Sequence, residues 1–89
     1  MTKLPPVVTV TTLDRVRSFV TTNFYVPDPA SLKDEASLID AGIVDSTGVM
    51  EIVQFIESEL GVKVADAEIV PENVDSIARI VAFVEKKKV

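Results

Sequence analysis

The sequence predicts an all-α protein, a small four-helix bundle of three main helices and one short one. Three observations carry that prediction. Apolar residues recur at intervals of three and four in three separate segments, the signature of amphipathic helices. Glycine and proline fall between those segments, where helices stop. The chain has 89 residues, 47% of them hydrophobic, which suits one small domain with a thin core.

Residues 1–10 contain Pro5-Pro6 and no helical period, so they are expected to form an extended or disordered arm, with the folded domain spanning 11–89. The first helix is expected from Thr11 or Thr12. Thr11 and Asp14 have the spacing of a capping box, in which each side chain satisfies a backbone N–H at the helix start. Leu13, Val16, Val20 and Phe24 then form one apolar stripe, and Tyr25-Val26-Pro27-Asp28-Pro29 ends it.

Ala30 to Val44 reads as a long connection, of a length that is often functional. Ser31 and Ser37 are expected to act as local caps, and Leu38 and Ile39 to pin the segment to the core. Gly42 suits a backbone conformation other residues resist, and Ile43 and Val44 should pack inward.

The second helix is predicted from about Ser46 to Leu60. Val49, Val53, Ile56 and Leu60 share one face, with Ile52 beside them, and that face should be buried. Thr47, Met50, Glu51, Gln54 and Ser58 lie opposite, with Phe55, Glu57 and Glu59 on the flanks. Gly61 is placed as a glycine just past a helix end. Val62-Lys63-Val64 reads as extended, and Asp66 to Ile69 as one helical turn ended by Pro71. Asn73 is expected to cap the last helix, with Asp75 in its first turn. Val74, Ile77, Ile80, Val81 and Val84 supply its buried stripe, and Lys86, Lys87 and Lys88 complement the dipole at its end.

The composition excludes much. There is no cysteine, hence no disulfide and no thiolate nucleophile, and no histidine, the commonest general base. The same absences remove the usual sulfur and nitrogen ligands, so no resident metal is expected, and a chain this small also lacks room for a deep pocket, so it is not expected to be an enzyme. No apolar run reaches membrane-spanning length, and no signal-peptide core precedes the domain, so the expected location is the cytoplasm. From Asp34 to Glu85 there are twelve acids and two bases, a net charge of −10. Such a body argues against nucleic acid and favours basic protein surfaces.

The stretch Gly42-Ile43-Val44-Asp45-Ser46-Thr47-Gly48 concentrates the remaining chemistry. Serine at a helix start is ordinarily a cap, and aspartate caps equally well. If Asp45 caps, the Ser46 hydroxyl is free at a helix N-terminus, where N–H groups and the dipole favour a phosphate. With no base to activate it, Ser46 reads as an acceptor modified by another enzyme rather than as a nucleophile. The exposed face beyond it combines an adaptable methionine, Met50, with the carboxylate of Glu51.

Asp45-Ser46-Thr47 after Gly42-Ile43-Val44 resembles the phosphopantetheine attachment motif of acyl and peptidyl carrier proteins. The resemblance extends over Leu38 to Ile43, Glu57 to Val62 and Pro71 to Ile77, and covers about residues 12–85. It implies an acyl-carrier-protein-like bundle over 11–89. A separate phosphopantetheinyl transferase would attach 4′-phosphopantetheine from coenzyme A to Ser46, with Asp45 a candidate ligand for the transient magnesium ion of that step. The arm's thiol would hold an acyl group as a thioester, which supplies the sulfur this chain lacks. Asp45, Thr47, Met50, Glu51 and Gln54 would meet the partner enzymes: the transferase, an acyl- or aminoacyl-loading ligase and downstream acyl-processing enzymes. Thr47 stands where the family commonly has leucine, which points to a distinct set of partners. The resulting expectation is a free-standing, monomeric acyl carrier in a specialised lipid or secondary-metabolite pathway. An aminoacyl or peptidyl carrier loaded by an adenylating ligase is the alternative, and a cofactor-free helical interaction module is the more remote one.

Overall fold

The computed structural model describes residues 11–88, and the expected N-terminal arm lies outside the described residues. Four α-helices follow in order: α1 Thr12–Asn23, α2 Ser46–Glu59, α3 Pro71–Val74 and α4 Ile77–Lys88. Short 3₁₀ turns occupy Pro29–Ser31 and Asp66–Glu68. No strand occurs among the described residues.

Helix α1 starts as its sequence dictates. The Thr11 Oγ1 accepts the Asp14 N–H at 3.1 Å, and the Asp14 carboxylate accepts the Thr11 N–H, so both halves of the capping box form. Val16 and Val20 are buried, while Leu13 and Phe24 pack at the core's edge. From α2 come Ile52, Val53 and Ile56, all buried, and from α4 Ile77, Ile80, Phe83 and Val84. Val44, Leu38 and Val62 close the core from the loops. Gly61 follows α2 with φ +68, the left-handed conformation that lets the chain leave a helix sharply.

The short helix is not where its sequence pointed. The single turn at Asp66–Glu68 is 3₁₀, and Pro71, expected to end it, instead opens α3. Proline suits a first helical position because its missing N–H would have had no partner there. Asn73 therefore lies inside α3, its side-chain amide donating to the Glu68 carbonyl at 2.8 Å, and does not cap the last helix. Ser76 does that: its buried Oγ accepts the Arg79 N–H at 3.0 Å. Asp75 is the C-terminal cap of α3 rather than a first-turn residue of α4.

The long connection before α2 is held by polar contacts to the α3–α4 junction. Ser37 Oγ donates to Asp75 Oδ2 at 2.6 Å and also accepts the Asp40 N–H at 3.0 Å. Asp75 Oδ1 takes the Ile39 N–H at 3.0 Å, and its backbone carbonyl takes the Leu38 N–H at 2.7 Å. Arg17 ties the earlier part to α1, pairing with Asp34 and donating to the Pro29 and Leu32 carbonyls. Only one of the two residues expected to anchor this loop does so. Leu38 is buried, but Ile39 is 44% exposed, because the turn that follows Leu38 carries its neighbour outward.

Glu68 joins the 3₁₀ turn to α4. Its carboxylate accepts the Ala65 N–H at 2.9 Å and meets Lys87 Nζ at 2.9 Å. These contacts, the backbone hydrogen bond first and Lys87 second, hold its pKa below the usual carboxylate value. A carboxylate with a lowered folded-state pKa stabilises the fold above its unfolded pKa and stops doing so as pH falls through the folded value. Glu68→Gln is therefore expected to melt below wild type at neutral pH, with the two melting temperatures converging in acid. Thermal denaturation of both proteins across a pH series checks it.

Candidate functional site

The N-terminus of α2 brings together the residues singled out in the sequence. Asp45 precedes the helix in an extended conformation, and its Oδ1 accepts the Gly48 N–H at 2.8 Å. Its carbonyl accepts the Val49 N–H at 2.9 Å. Asp45 is thus the cap, and Ser46 stands at the first helical position. Among the described residues the Ser46 hydroxyl makes no hydrogen bond, and the N–H groups of Ser46 and Thr47 have no acceptor. Asp45, Ser46 and Thr47 are all exposed.

The backbone before this turn is shaped by Gly42, whose φ is +74. That conformation is open to glycine at little cost and strained for other residues. It lets the chain reverse so that the Leu38 carbonyl accepts both the Ile43 N–H at 3.0 Å and the Val44 N–H at 3.1 Å. Val44 is then buried and Ile43 half-buried, which aims Asp45 and Ser46 outward.

Gly48 is the residue that the helical pattern did not flag. It is buried in the first turn of α2, and a Cβ there would lie 2.8 Å from Phe24 Cε1 and 3.0 Å from Val44 Cγ1. The available signal was its position, since glycine inside a helix costs about 1 kcal/mol relative to alanine and needs a packing reason. Here the reason is that the Phe24 ring at the end of α1 seats against the turn that carries Ser46.

Thr47, Met50, Glu51 and Gln54 are exposed, as expected, with Met50 at 53%. They continue from Ser46 along α2. Phe55, expected on the flank, is half-buried and stacks on Phe19 of α1 with centroids 4.2 Å apart. Arg15 spans the same two helices, donating through Nη2 to the Glu59 carbonyl at 2.7 Å.

An accessible hydroxyl, freed from capping and flanked by unsatisfied N–H donors, fits a phosphate ester better than it fits catalysis. Nothing beside it is a strong base; the nearest carboxylate is committed to the Gly48 N–H. Together, bundle and serine define a small helical domain with an exposed hydroxyl at the start of its second long helix.

Comparison with known proteins agrees. Residues 14–84 match the family described as phosphopantetheine attachment site. An acyl carrier protein of Thermotoga maritima is 37% identical over 73 residues, 82% of this chain and 86% of the relative. A D-alanyl carrier protein of Streptococcus pyogenes serotype M1 is 32% identical over 62 residues, 70% of this chain and 77% of the relative. The chain belongs to the phosphopantetheine-dependent carrier protein family. It is a carrier of covalently attached 4′-phosphopantetheine and not itself a catalyst. No described helix is long and apolar enough to cross a membrane.

Gly48→Ala tests the close approach at the serine turn. The gain in helix propensity, about 1 kcal/mol, is opposed by forcing Phe24 and Val44 off their seats, about 1–3 kcal/mol for overpacking. Because Val44 is buried and has little room to give, net destabilisation of about 0–2 kcal/mol is expected. Urea denaturation of the two proteins measures it; a variant more stable than wild type would show that Phe24 yields easily.

Proposed function

We propose that Ser46 is the attachment point of the 4′-phosphopantetheine arm and that the chain delivers an acyl group, held as a thioester on that arm, between enzymes. The observation that carries this reading is the Asp45–Gly48 hydrogen bond, which occupies the capping role and leaves the Ser46 oxygen free. In the modification Ser46 Oγ bonds to the phosphorus bearing pantetheine, adenosine 3′,5′-bisphosphate leaves, and the hydroxyl proton passes to the transferase. The terminal thiol of the arm supplies the nucleophilic sulfur. The protein's own part is to hold Ser46 exposed, to offer Ser46 and Thr47 N–H groups beside the phosphate, and to present α2 to each enzyme in turn. Asp45 is placed to contribute a ligand to the transferase's magnesium ion only if it releases the Gly48 N–H or offers its second oxygen.

The acyl reading is favoured by the higher identity to an acyl carrier protein, at 37% against 32% for the D-alanyl carrier. The second reading, an aminoacyl or peptidyl carrier loaded by an adenylating ligase, is kept by that D-alanyl relative and by Thr47. A specialised lipid or secondary-metabolite pathway in the cytoplasm is the proposed setting, because Thr47 puts a hydroxyl where an apolar partner contact is common in this family. Asp45, Thr47, Met50, Glu51 and Gln54 form the proposed docking surface of a monomeric carrier.

Incubation with coenzyme A and a broad-range phosphopantetheinyl transferase, followed by intact mass measurement, tests the attachment. Wild type is expected to gain one phosphopantetheine and Ser46→Ala none. A Ser46→Ala protein that still gains the mass would move the arm to another hydroxyl. A second experiment addresses docking: Glu51→Lys, an exposed change, is expected to slow modification by roughly tenfold, as loss of one favourable charge contact and gain of a repulsive one imply. The circular dichroism spectrum should be unchanged. Equal rates would remove Glu51 from the docking surface.

A further inference from the structure

Residues 37–44 form a block that closes on itself. The Ser37 carbonyl accepts the Ala41 N–H at 3.0 Å, the Ile39 carbonyl accepts the Gly42 N–H at 3.0 Å, and the Leu38 carbonyl accepts the N–H groups of Ile43 and Val44. Ser37 Oγ adds a further closure by accepting the Asp40 N–H at 3.0 Å. Nested bonds of this kind restrict the backbone, and a shift at one end of the block is carried to the other. The far end is Val44, and Asp45 and Ser46 come next.

The near end is moored to one residue. Asp75, the half-buried C-terminal cap of α3, accepts the Ser37 hydroxyl on Oδ2 at 2.6 Å and the Ile39 N–H on Oδ1 at 3.0 Å. Its carbonyl accepts the Leu38 N–H at 2.7 Å. A carboxylate that takes one donor on each oxygen fixes the orientation of its partners as well as their distance, and bonds to a charged acceptor are the stronger ones. Among the described residues both partners of that carboxylate lie in the block. The mooring point itself is held at the start of α4, where Ser76 caps the helix and the Ala78 N–H goes to the Asp34 carbonyl at 2.8 Å. None of these bonds reaches residues 45–48.

We propose that Asp75 is a positioning residue for the modification of Ser46: by mooring the 37–44 block it sets where the serine oxygen stands, and so governs the rate of arm transfer and not the strength of docking. The assignment rests on the reading of Ser46 as the attachment point. In that step Ser46 Oγ bonds to phosphorus, the bond from that phosphorus to an oxygen of adenosine 3′,5′-bisphosphate breaks, and the hydroxyl proton passes to the transferase. Attack on phosphorus tolerates little error, since a displacement of about 1 Å costs up to roughly 100-fold in rate. The docking face proposed on α2 contains no residue of the block, so loosening the mooring leaves that face in place. The loop also keeps its fold without the carboxylate. Leu38 and Val44 remain buried, and the carbonyl of residue 75 still accepts the Leu38 N–H whatever side chain stands there. A favourable charge beside the start of α4 is the competing explanation for a carboxylate at this position. The two bonds to the block, one on each oxygen, favour the mooring.

The test is single-turnover modification of the full chain by an excess of a broad-range phosphopantetheinyl transferase with coenzyme A, followed by intact mass. Varying the transferase separates the maximum rate from the concentration that gives half of it. Asp75→Ala is expected to lower the maximum rate roughly tenfold while the half-maximal concentration stays within about twofold. Asp75→Asn keeps an oxygen for the Ile39 N–H and is expected to recover part of the loss. Val81→Ala, on α4 at the edge of the core, lowers stability without touching the block and should leave the maximum rate unchanged. In amide hydrogen exchange of Asp75→Ala, the N–H groups of Ile43 and Val44 are expected to accelerate more than that of Ile56, because the buried Ile56 reports opening of the whole fold. Should Asp75→Ala not fold, Ser37→Ala, which removes the partner of Oδ2, carries the same measurement, with a smaller loss in the same direction expected. A wild-type maximum rate in the mooring variant, or a loss confined to the half-maximal concentration, overturns the assignment and leaves the attachment reading standing. An equal loss in Val81→Ala does the same, since stability alone then explains the rate. Absence of the mass gain in the wild-type chain overturns the attachment reading, and the positioning role falls with it.

Discussion

The bond from the Gly48 N–H to Asp45 Oδ1, 2.8 Å long, decides how the start of α2 is used. A helix N-terminus has four N–H groups without partners in the helix, and a polar side chain just outside ordinarily takes one of them. Serine and aspartate compete equally for that task. Because the carboxylate takes it, the serine one residue later is released from the capping role and is exposed, its hydroxyl unpaired among the described residues. The same bond places a glycine under the Phe24 ring, so the cap and the packing beneath it hold the turn from opposite sides.

Those local contacts would not aim the serine without the loop that leads to it. Residues 30–44 have no packed helix or sheet of their own, and they are positioned by hydrogen bonds to a distant element. Asp75 accepts from Ser37, Leu38 and Ile39 through its carboxylate and its carbonyl. Leu38 is thereby seated in the core, and its own carbonyl accepts the N–H groups of Ile43 and Val44. The path from the α3–α4 junction to Asp45 is therefore a continuous chain of backbone hydrogen bonds and buried side chains. Arg17 secures the loop's other end, and its planar fork is suited to holding a carboxylate and two carbonyls together.

What was legible in the sequence was what depends on neighbours a few residues away. The Thr11–Asp14 box, the valine stripe of α1, the buried face of α2 and the glycines at 42 and 61 all follow from local geometry. The failures have a common cause in contacts between distant residues. Asn73 and Ser76 are both good capping residues, and the choice fell to Ser76 because Pro71 had already opened a helix through Val74. Asp75 looked like a first-turn acid until Ser37, 38 residues earlier, claimed its carboxylate. Leu38 and Ile39 are equally apolar, and only the turn geometry separates the buried one from the exposed one. At the site, Ser46, Asp45 and the exposed face were legible from spacing. The Phe19–Phe55 stack was not, since helical period placed Phe55 merely on a flank and said nothing of which residue on α1 would face it.

The acidic border of α2 and the absence of histidine have a joint kinetic consequence. Histidine is the side chain whose ordinary titration falls between about pH 5 and 8, and this chain contains none. The chain has no cysteine either, so its sulfur chemistry arrives with the arm. A pH–rate profile measured in that interval with this protein as substrate therefore has no histidine or cysteine side chain of the carrier to report on. An inflection in it is therefore not that of a carrier histidine or cysteine, and the thiol of the arm is the carrier's one sulfur nucleophile that it can report.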